Sequence, residues 1–343
     1  MKQFLTIFGT NLLIVISLLG LLEISSRYFL PPVNNATIFD DKSLRTRGRS
    51  FIEEHPIRGF SLKPNFKNNL YQINSQGFRG NEFPKHFKPQ DQVIVAIGES
   101  TTFGWQVKNQ QSYPAYLMQY FANKQQANDH LTYVINAGIP SYTSSQTLLY
   151  LKEILSNKEI KVDVILVNIM WNDIWYSSIK NWHPDILVHQ QAPAWLTWLT
   201  KHSRLVHWFI MDKGSEQGLI DIKNNAALRQ YEQNLRAMIL LAQENNTKLL
   251  FVEPPFDLDH LPKEGLKEFQ VRYSKPFFLQ QAKKYRQIMH KVAKEENIMV
   301  INHSLSLDQL HQKTLFLDLL HPTAEGNAIM ARDIYNALAQ IQF

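Results

Sequence analysis

The chain is predicted to be an α/β protein, a three-layer α/β/α sandwich around a five-stranded, mostly parallel sheet, preceded by one N-terminal transmembrane helix. Three observations predict it. Short apolar and β-branched runs recur from Gln92 onward, segments with apolar residues at helical spacing separate them, and Gln3 to Leu22 carries no charge. Parallel strands need long crossovers, and helices of this length supply them on both faces of a sheet.

The first element is the run from Gln3 to Leu22, dominated by Leu, Ile and Phe. Twenty helical residues span about 30 Å, the thickness of a bilayer's hydrocarbon core. The run leaves through Glu23-Ile24-Ser25-Ser26-Arg27, with no small-residue cleavage pattern, so residues 1–22 are expected to be an uncleaved anchor. Only Lys2 flanks one side, whereas Arg27, Lys42, Arg45, Arg47 and Arg49 follow on the other. By the positive-inside rule that distribution argues against an N-in orientation.

Residues 23–90 are expected to be a linker and an N-terminal extension. Pro31 to Gln90 is rich in Pro, Asn, Lys and Phe and shows little periodicity. Its second half, with RGFSLKPN at Arg58–Asn65 and NSQGFRG at Asn74–Gly80, reads as more structured. Gly77 and Gly80 suggest turns, and Arg79 is placed either to pin that turn to the domain or to touch substrate.

A catalytic domain is expected over residues 91–343. Candidate strands are Gln92–Ile97, Leu131–Ile135, Val162–Ile169, Thr247–Val252 and Ile298–Ile301. Helical patterns cover Tyr113–Lys124, with Ser112 as cap and Pro114 in the first turn, then Ala226–Gln243 and Pro276–Lys294. Ile329, Met330, Ile334, Leu338 and Ile341 form the apolar face of a last helix, with Thr323 as N-cap. The alternation is interrupted by an insertion from about 175 to 228, which holds Trp182, Trp195, Trp198, Trp208, His183, His189, His202 and His207. Long insertions at strand ends build lids or substrate-binding subdomains. Tryptophans there suit a sugar ring, and equally a small core of their own or a membrane interface; the histidines match no ligand spacing.

The residues that carry chemistry begin at QVIVAIGESTTFG, Gln92–Gly104, where a buried-strand pattern empties into Gly98-Glu99-Ser100. Ligands bind at the carboxyl ends of strands in open α/β sheets. A Gly-x-Ser alone is usually a turn. The far end of the chain changes its weight: LFLDLLHPTAEG, Leu315–Gly326, sets Asp318 and His321 together just before a helix. A serine nucleophile needs a base, and the base needs an orienting carboxylate. The G-x-S-x-G elbow is absent, since Thr102 stands where its last glycine belongs. A further strand ends at Asn168 to Asp173, where Asn172 is either a turn residue or a neutral amide donor to a developing negative charge.

Four blocks in order, GESTTFG (Gly98–Gly104), NAGIPSYTSSQ (Asn136–Gln146), MWND (Met170–Asp173) and DLLHPTAEG (Asp318–Gly326), resemble the SGNH (GDSL-type) hydrolase family in its membrane-anchored bacterial branch. The resemblance implies a flavodoxin-like sheet, Ser100 as nucleophile, His321 as base and Asp318 as its orienting acid. It implies an oxyanion hole from the Ser100 and Gly138 N–H groups and the Asn172 side chain. Two departures stand out: Glu99 replaces the usual Asp, and Met170 replaces the Gly that opens the third block, a change expected to alter pocket shape. The implied function is a serine esterase cleaving an acyl ester, by preference an O-acetyl group, on a cell-envelope glycan or lipid, with the catalytic domain extracytoplasmic (periplasmic). An O-acyltransferase would use the same triad. A non-catalytic glycan-binding protein would have no reason to keep Ser100, Asp318, His321, Gly138 and Asn172 together.

Composition narrows the partners. The 343 residues are 44% hydrophobic, enough for one domain and extras. The absence of cysteine excludes disulfides, thiolate chemistry and cysteine-based zinc sites. Neither a metal nor a cofactor is expected. The net charge of +6 is not gathered into a basic stripe, so no nucleic-acid partner is expected. A mild basic excess suits work beside an anionic membrane or polymer.

Overall fold

The computed structural model describes residues 2–29, 45–46, 49–124, 130–177, 199, 202–203, 205–206, 225–257, 275–305 and 313–341. The chain opens with one helix, α1 (Lys2–Phe29), which continues past Leu22. Its stretch Phe8–Phe29 is long and apolar enough to cross a membrane, with a mean hydropathy of 1.8. Side chains such as Leu13 and Leu21 stand exposed along it. Helix continuation past Leu22 follows from Glu23 and Arg27, one turn apart, which form an ion pair at 3.6 Å. Glu23 also accepts a hydrogen bond from Ser203 Oγ at 2.6 Å.

The extension has two short hairpins. Arg45–Thr46 (β1) pairs with Arg49–Ser50 (β2), and Ile52–His55 (β3) pairs with Gly59–Leu62 (β4). Gly59 takes φ +81 at the tight end of the second hairpin. A turn follows in which Asn74 Oδ1 accepts the N–H groups of Gln76 and Phe78 at 3.0 and 2.9 Å. The residues from Phe51 onward are no linker. Phe51, Phe60, Tyr71, Ile73 and Phe78 are buried in one hydrophobic cluster with sheet residues Val93, Val95 and Ile97. The sequence shows no helical or strand period here because the apolar residues are delivered by turns.

The central sheet contains β5 (Gln92–Gly98), β6 (Thr132–Gly138), β7 (Val164–Asn168), β8 (Lys248–Val252) and β9 (Val300–Ile301), in the order β6-β5-β7-β8-β9. Every pair in it is parallel. The order reverses between β5 and β7, the position at which open α/β sheets form a crevice at their carboxyl edge. Alternation along β5 sends Val93, Val95 and Ile97 to one face and Ile94 and Ala96 to the other. The first face is covered by α4 (Ser144–Ser156), α6 (Ala226–Glu244) and α7 (Lys275–Glu295). The second is covered by α3 (Tyr113–Lys124) and α8 (Ala324–Ala339). Two shorter helices, α2 (Ser100–Phe103) and α5 (Trp171–Tyr176), begin at the strand ends.

Two local expectations are modified, and a third lies mostly outside the described residues. The last strand begins at Val300, shorter than its apolar run. Ser112 does not cap α3 with its hydroxyl; the Tyr113 N–H is bound at 3.0 Å by Asn327 Oδ1 from α8. Trp175 belongs to α5, while Trp182, Trp195, Trp198, Trp208, His183, His189 and His207 lie outside the described residues.

If the extension shares the core, Phe60→Ala should cost about 3–5 kcal/mol, as for any fully buried phenylalanine. Phe60 is wholly buried and lies edge-on to Tyr142 at 5.0 Å. Urea unfolding measures it; a loss below about 1 kcal/mol would mean that residues 51–80 sit on the domain without stabilising it.

Candidate active site

The site is built where β5, β6 and β7 end together. Gly98 is in register with Gly138 on one side and Asn168 on the other. A Cβ on Gly98 would stand 2.0 Å from the Asn168 carbonyl oxygen, and one on Gly138 would stand 2.2 Å from the Phe103 nitrogen. Only glycine permits this approach, which lets α2 nest against the strand ends. Ser100 is the first residue of α2, where backbone N–H groups have no partner within the helix.

His321 Nε2 lies 2.7 Å from Ser100 Oγ, and His321 Nδ1 lies 2.7 Å from Asp318 Oδ2. An ionised carboxylate only accepts, so Nδ1 carries the hydrogen and Nε2 is left to accept from the serine hydroxyl. Asp318 Oδ1 accepts the Leu320 and His321 N–H groups, both at 2.9 Å. Burial works to raise the Asp318 pKa, but His321 and these N–H donors outweigh it and hold the carboxyl below its usual value. The loop is fixed from both sides. The Asp257 N–H donates to Leu319 O at 3.1 Å, and Thr323 Oγ1 caps α8 through the Gly326 N–H at 3.2 Å. The Trp105 ring stands 6.2 Å from the His321 ring, forming a wall beside the candidate base.

Of the expected oxyanion donors, the Ser100 N–H makes no hydrogen bond to the described residues. Asn172 Nδ2 donates one of its two hydrogens to Tyr142 O at 3.0 Å, which fixes the amide and leaves the second. The Gly138 N–H is differently placed. It donates to Asn136 Oδ1 at 3.0 Å, so it is committed inside the sheet edge. Ser141, in the same block, takes φ +68 and hydrogen-bonds to none of the described residues. The loop carrying it is tied to Gly98 O through the Ile139 N–H at 3.0 Å, and to Asn172 through Tyr142. Sequence reading passed over Ser141 because a serine in a glycine-like conformation leaves no mark in composition.

Glu99 explains the departure in the first block. Its wholly buried carboxylate accepts the N–H groups of Met170, Trp171 and Asn172 at 3.1, 2.9 and 2.9 Å, tying the start of α5 to the residue before Ser100. Beside it, Asp173 accepts from the Ser144 N–H at 2.8 Å and from its hydroxyl at 2.5 Å. Burial pushes Glu99 up to about 8, against the pull of its N–H donors, and pushes Asp173 up to about 7. Met170 is fully buried, so its substitution for glycine changes the packing under α5 and not an open wall. Among the described residues, no group of three His, Asp or Glu side chains is placed to hold a metal. A cavity of about 210 Å³ lies in the seam between the extension and α4, lined by Arg58, Tyr150 and Glu153, and includes none of these groups.

Residues 94–334 match the family described as GDSL-like Lipase/Acylhydrolase. The chain belongs to this family. It is a serine hydrolase of the esterase and acylhydrolase class. Solved structures similar to this GDSL hydrolase include an acetyl-xylooligosaccharide esterase variant from Geobacillus, 17% identical over 75% of this chain and 98% of that one, with a TM-score of 0.45. The psychrotrophic esterase EstA from Pseudoalteromonas sp. is 14% identical over 73% and 98%, with a TM-score of 0.45. A lipolytic G-D-S-L family member from Veillonella parvula is 14% identical over 73% and 100%, with a TM-score of 0.45. No curated protein sequence matches the chain.

The buried acids make stability pH-dependent in a defined direction. Glu99 and Asp173 have ordinary values of 4.5 and 3.8 and are raised in the fold to about 8 and about 7. Between those limits the folded hydrolase binds more protons than the unfolded chain, so stability falls as pH rises. Urea unfolding from about pH 5 to pH 8 should show that fall, and Asp173→Asn should make it shallower. A wild-type-minus-variant difference that is flat or of opposite slope would contradict the assignment.

Proposed function

We propose that this GDSL hydrolase cleaves an acyl ester through an acyl-enzyme on Ser100. The observation that carries the reading is the continuous hydrogen-bonded chain from Ser100 Oγ through His321 to Asp318. Ser100 Oγ attacks the acyl carbonyl as its proton passes to His321 Nε2, and Asp318 stabilises the imidazolium that forms. The Ser100 N–H and the free Asn172 amide hydrogen receive the oxyanion. Ser141 supplies the remaining backbone N–H in place of Gly138, whose own is committed to Asn136. The imidazolium then returns its proton to the leaving alcohol. Water, deprotonated by His321, releases the acid and restores the serine.

For the substrate we favour a small acyl group, O-acetyl, on an envelope carbohydrate, with a lipid ester behind it. The Trp105 wall beside His321 and the tryptophans that the sequence carries in the insertion support an aromatic platform for a sugar ring. We read α1 as a single-pass anchor and the catalytic domain as extracytoplasmic. The exposed apolar face of α1 supports the anchor, while the arginines that follow it count against this orientation. External protease on spheroplasts tests it: digestion of the domain is expected, and full protection would reverse the placement.

Ser100→Ala and His321→Ala should each lower ester turnover by at least about 10³-fold, and the double variant should be little worse than either, because the pair acts as a unit. Asn172→Ala should lower kcat by about 10²–10³ with little change in KM. Multiplicative losses, or a loss confined to KM for Asn172, would contradict these roles. An activated acetyl ester offered with oligosaccharide acceptors should give mainly free acetate. Acetylated sugar as the main product would make the protein an O-acyltransferase instead.

A further inference from the structure

The N-terminal extension carries a buried cation aimed at the nucleophile's helix. Arg79 is 2% exposed, and no carboxylate among the described residues pairs with it. Its guanidinium donates to the carbonyls of Phe103, Gly104 (2.5 Å) and Val107 (2.6 Å), and its Nε donates to Asn109 Oδ1 at 3.3 Å. It lies 4.4 Å from the Phe103 ring centroid and 4.9 Å from that of Tyr71. Its own N–H donates to Asn136 O at 3.1 Å, so its main chain is locked to β6 as its head is locked to the end of α2.

These acceptors are not scattered. Phe103 is the last residue of α2, Gly104 is its C-cap, and Ser100 is its first residue. A one-turn helix has little stability of its own and leaves its last carbonyls unpaired. A cation at that end satisfies them and matches the local dipole. Gly104 accommodates the cation, since a Cβ there would stand 2.9 Å from Arg79 Nη1. Two ends of one turn are thus held by two buried side chains: the Glu99 carboxyl secures the entrance against α5, and the Arg79 cation secures the exit. Burial lowers the guanidinium only to about 9, which leaves it charged at neutral pH.

We propose that Arg79 is a positioning residue for Ser100, closing the far end of the nucleophile's single turn from outside the residues that match the family. The inference rests on Ser100 being the nucleophile. Losing the clamp should shift Ser100 Oγ relative to His321 Nε2, and a shift near 1 Å costs about 10²-fold in rate.

The test uses the full chain and a fluorophosphonate, whose labelling amplitude counts folded sites and whose labelling rate reads the presentation of Ser100. In Arg79→Ala, the labelling rate and kcat per labelled site should fall about 10- to 100-fold, with KM within about twofold of wild type. Added guanidinium ion should restore part of the rate in this variant and none in wild type. Arg79→Lys keeps the charge but loses the planar fork, so it should fall in between. A wild-type rate per labelled site in Arg79→Ala, or in Arg79→Lys if the first variant does not fold, would overturn the proposal. Failure of both to fold would make Arg79 structural and overturn it equally. Ser100→Ala separates the two readings. If it still labels, the nucleophile assignment fails; if it is silent while the Arg79 variants run at full speed, only the positioning role fails.

Discussion

The hydrogen bond between Ser100 Oγ and His321 Nε2 joins groups 221 residues apart and is the contact on which the rest of the site depends. Neither residue can hold it alone. Ser100 stands on a turn of four residues, and His321 on a loop ahead of a helix. The parallel sheet brings the two together by ending β5 at the switch point, while α8 packs across the face that β5 shares with α3. Asp318 then fixes the imidazole through a bond that also sets its tautomer. A proton-transfer pair is useful only within hydrogen-bond reach, and the fold supplies that reach.

Burying Glu99 and Asp173 is costly, and the structure shows what is gained. Glu99 accepts three successive N–H groups at the start of α5, and so couples the residue before the nucleophile to Asn172. Asp173 ties the same helix to α4 through Ser144. The longer side chain of Glu at this position reaches around the start of α5 and satisfies the N–H groups that the helix leaves unpaired. The segment carrying the nucleophile and the segment carrying a candidate oxyanion donor are therefore tied directly together.

Much of this was legible in the sequence, for a physical reason. Strands, helix periods, the Thr323 cap and the grouping of Asp318 with His321 are encoded within a few residues of themselves. The unread features are pairings across distance. Asn327 caps α3 from another helix, Asn136 takes the Gly138 N–H, and turn-borne aromatics from Phe51 to Phe78 complete the core. Arg79 was visible as a turn residue, but its acceptors run from the last residue of α2 to Asn109 and could not be paired with it along the chain. Ser141 shows the same limit in the backbone, because a positive φ at a serine is imposed by its neighbours.

The account stands on a covalent intermediate at Ser100. Rapid quenching of the full chain during turnover of an activated acetyl ester, followed by peptide mass spectrometry, measures it directly. One acetyl group on the peptide containing Ser100, absent from Ser100→Ala and accumulating before steady state, is the predicted result. Turnover with no acyl adduct, or with the adduct on another residue, would contradict the account.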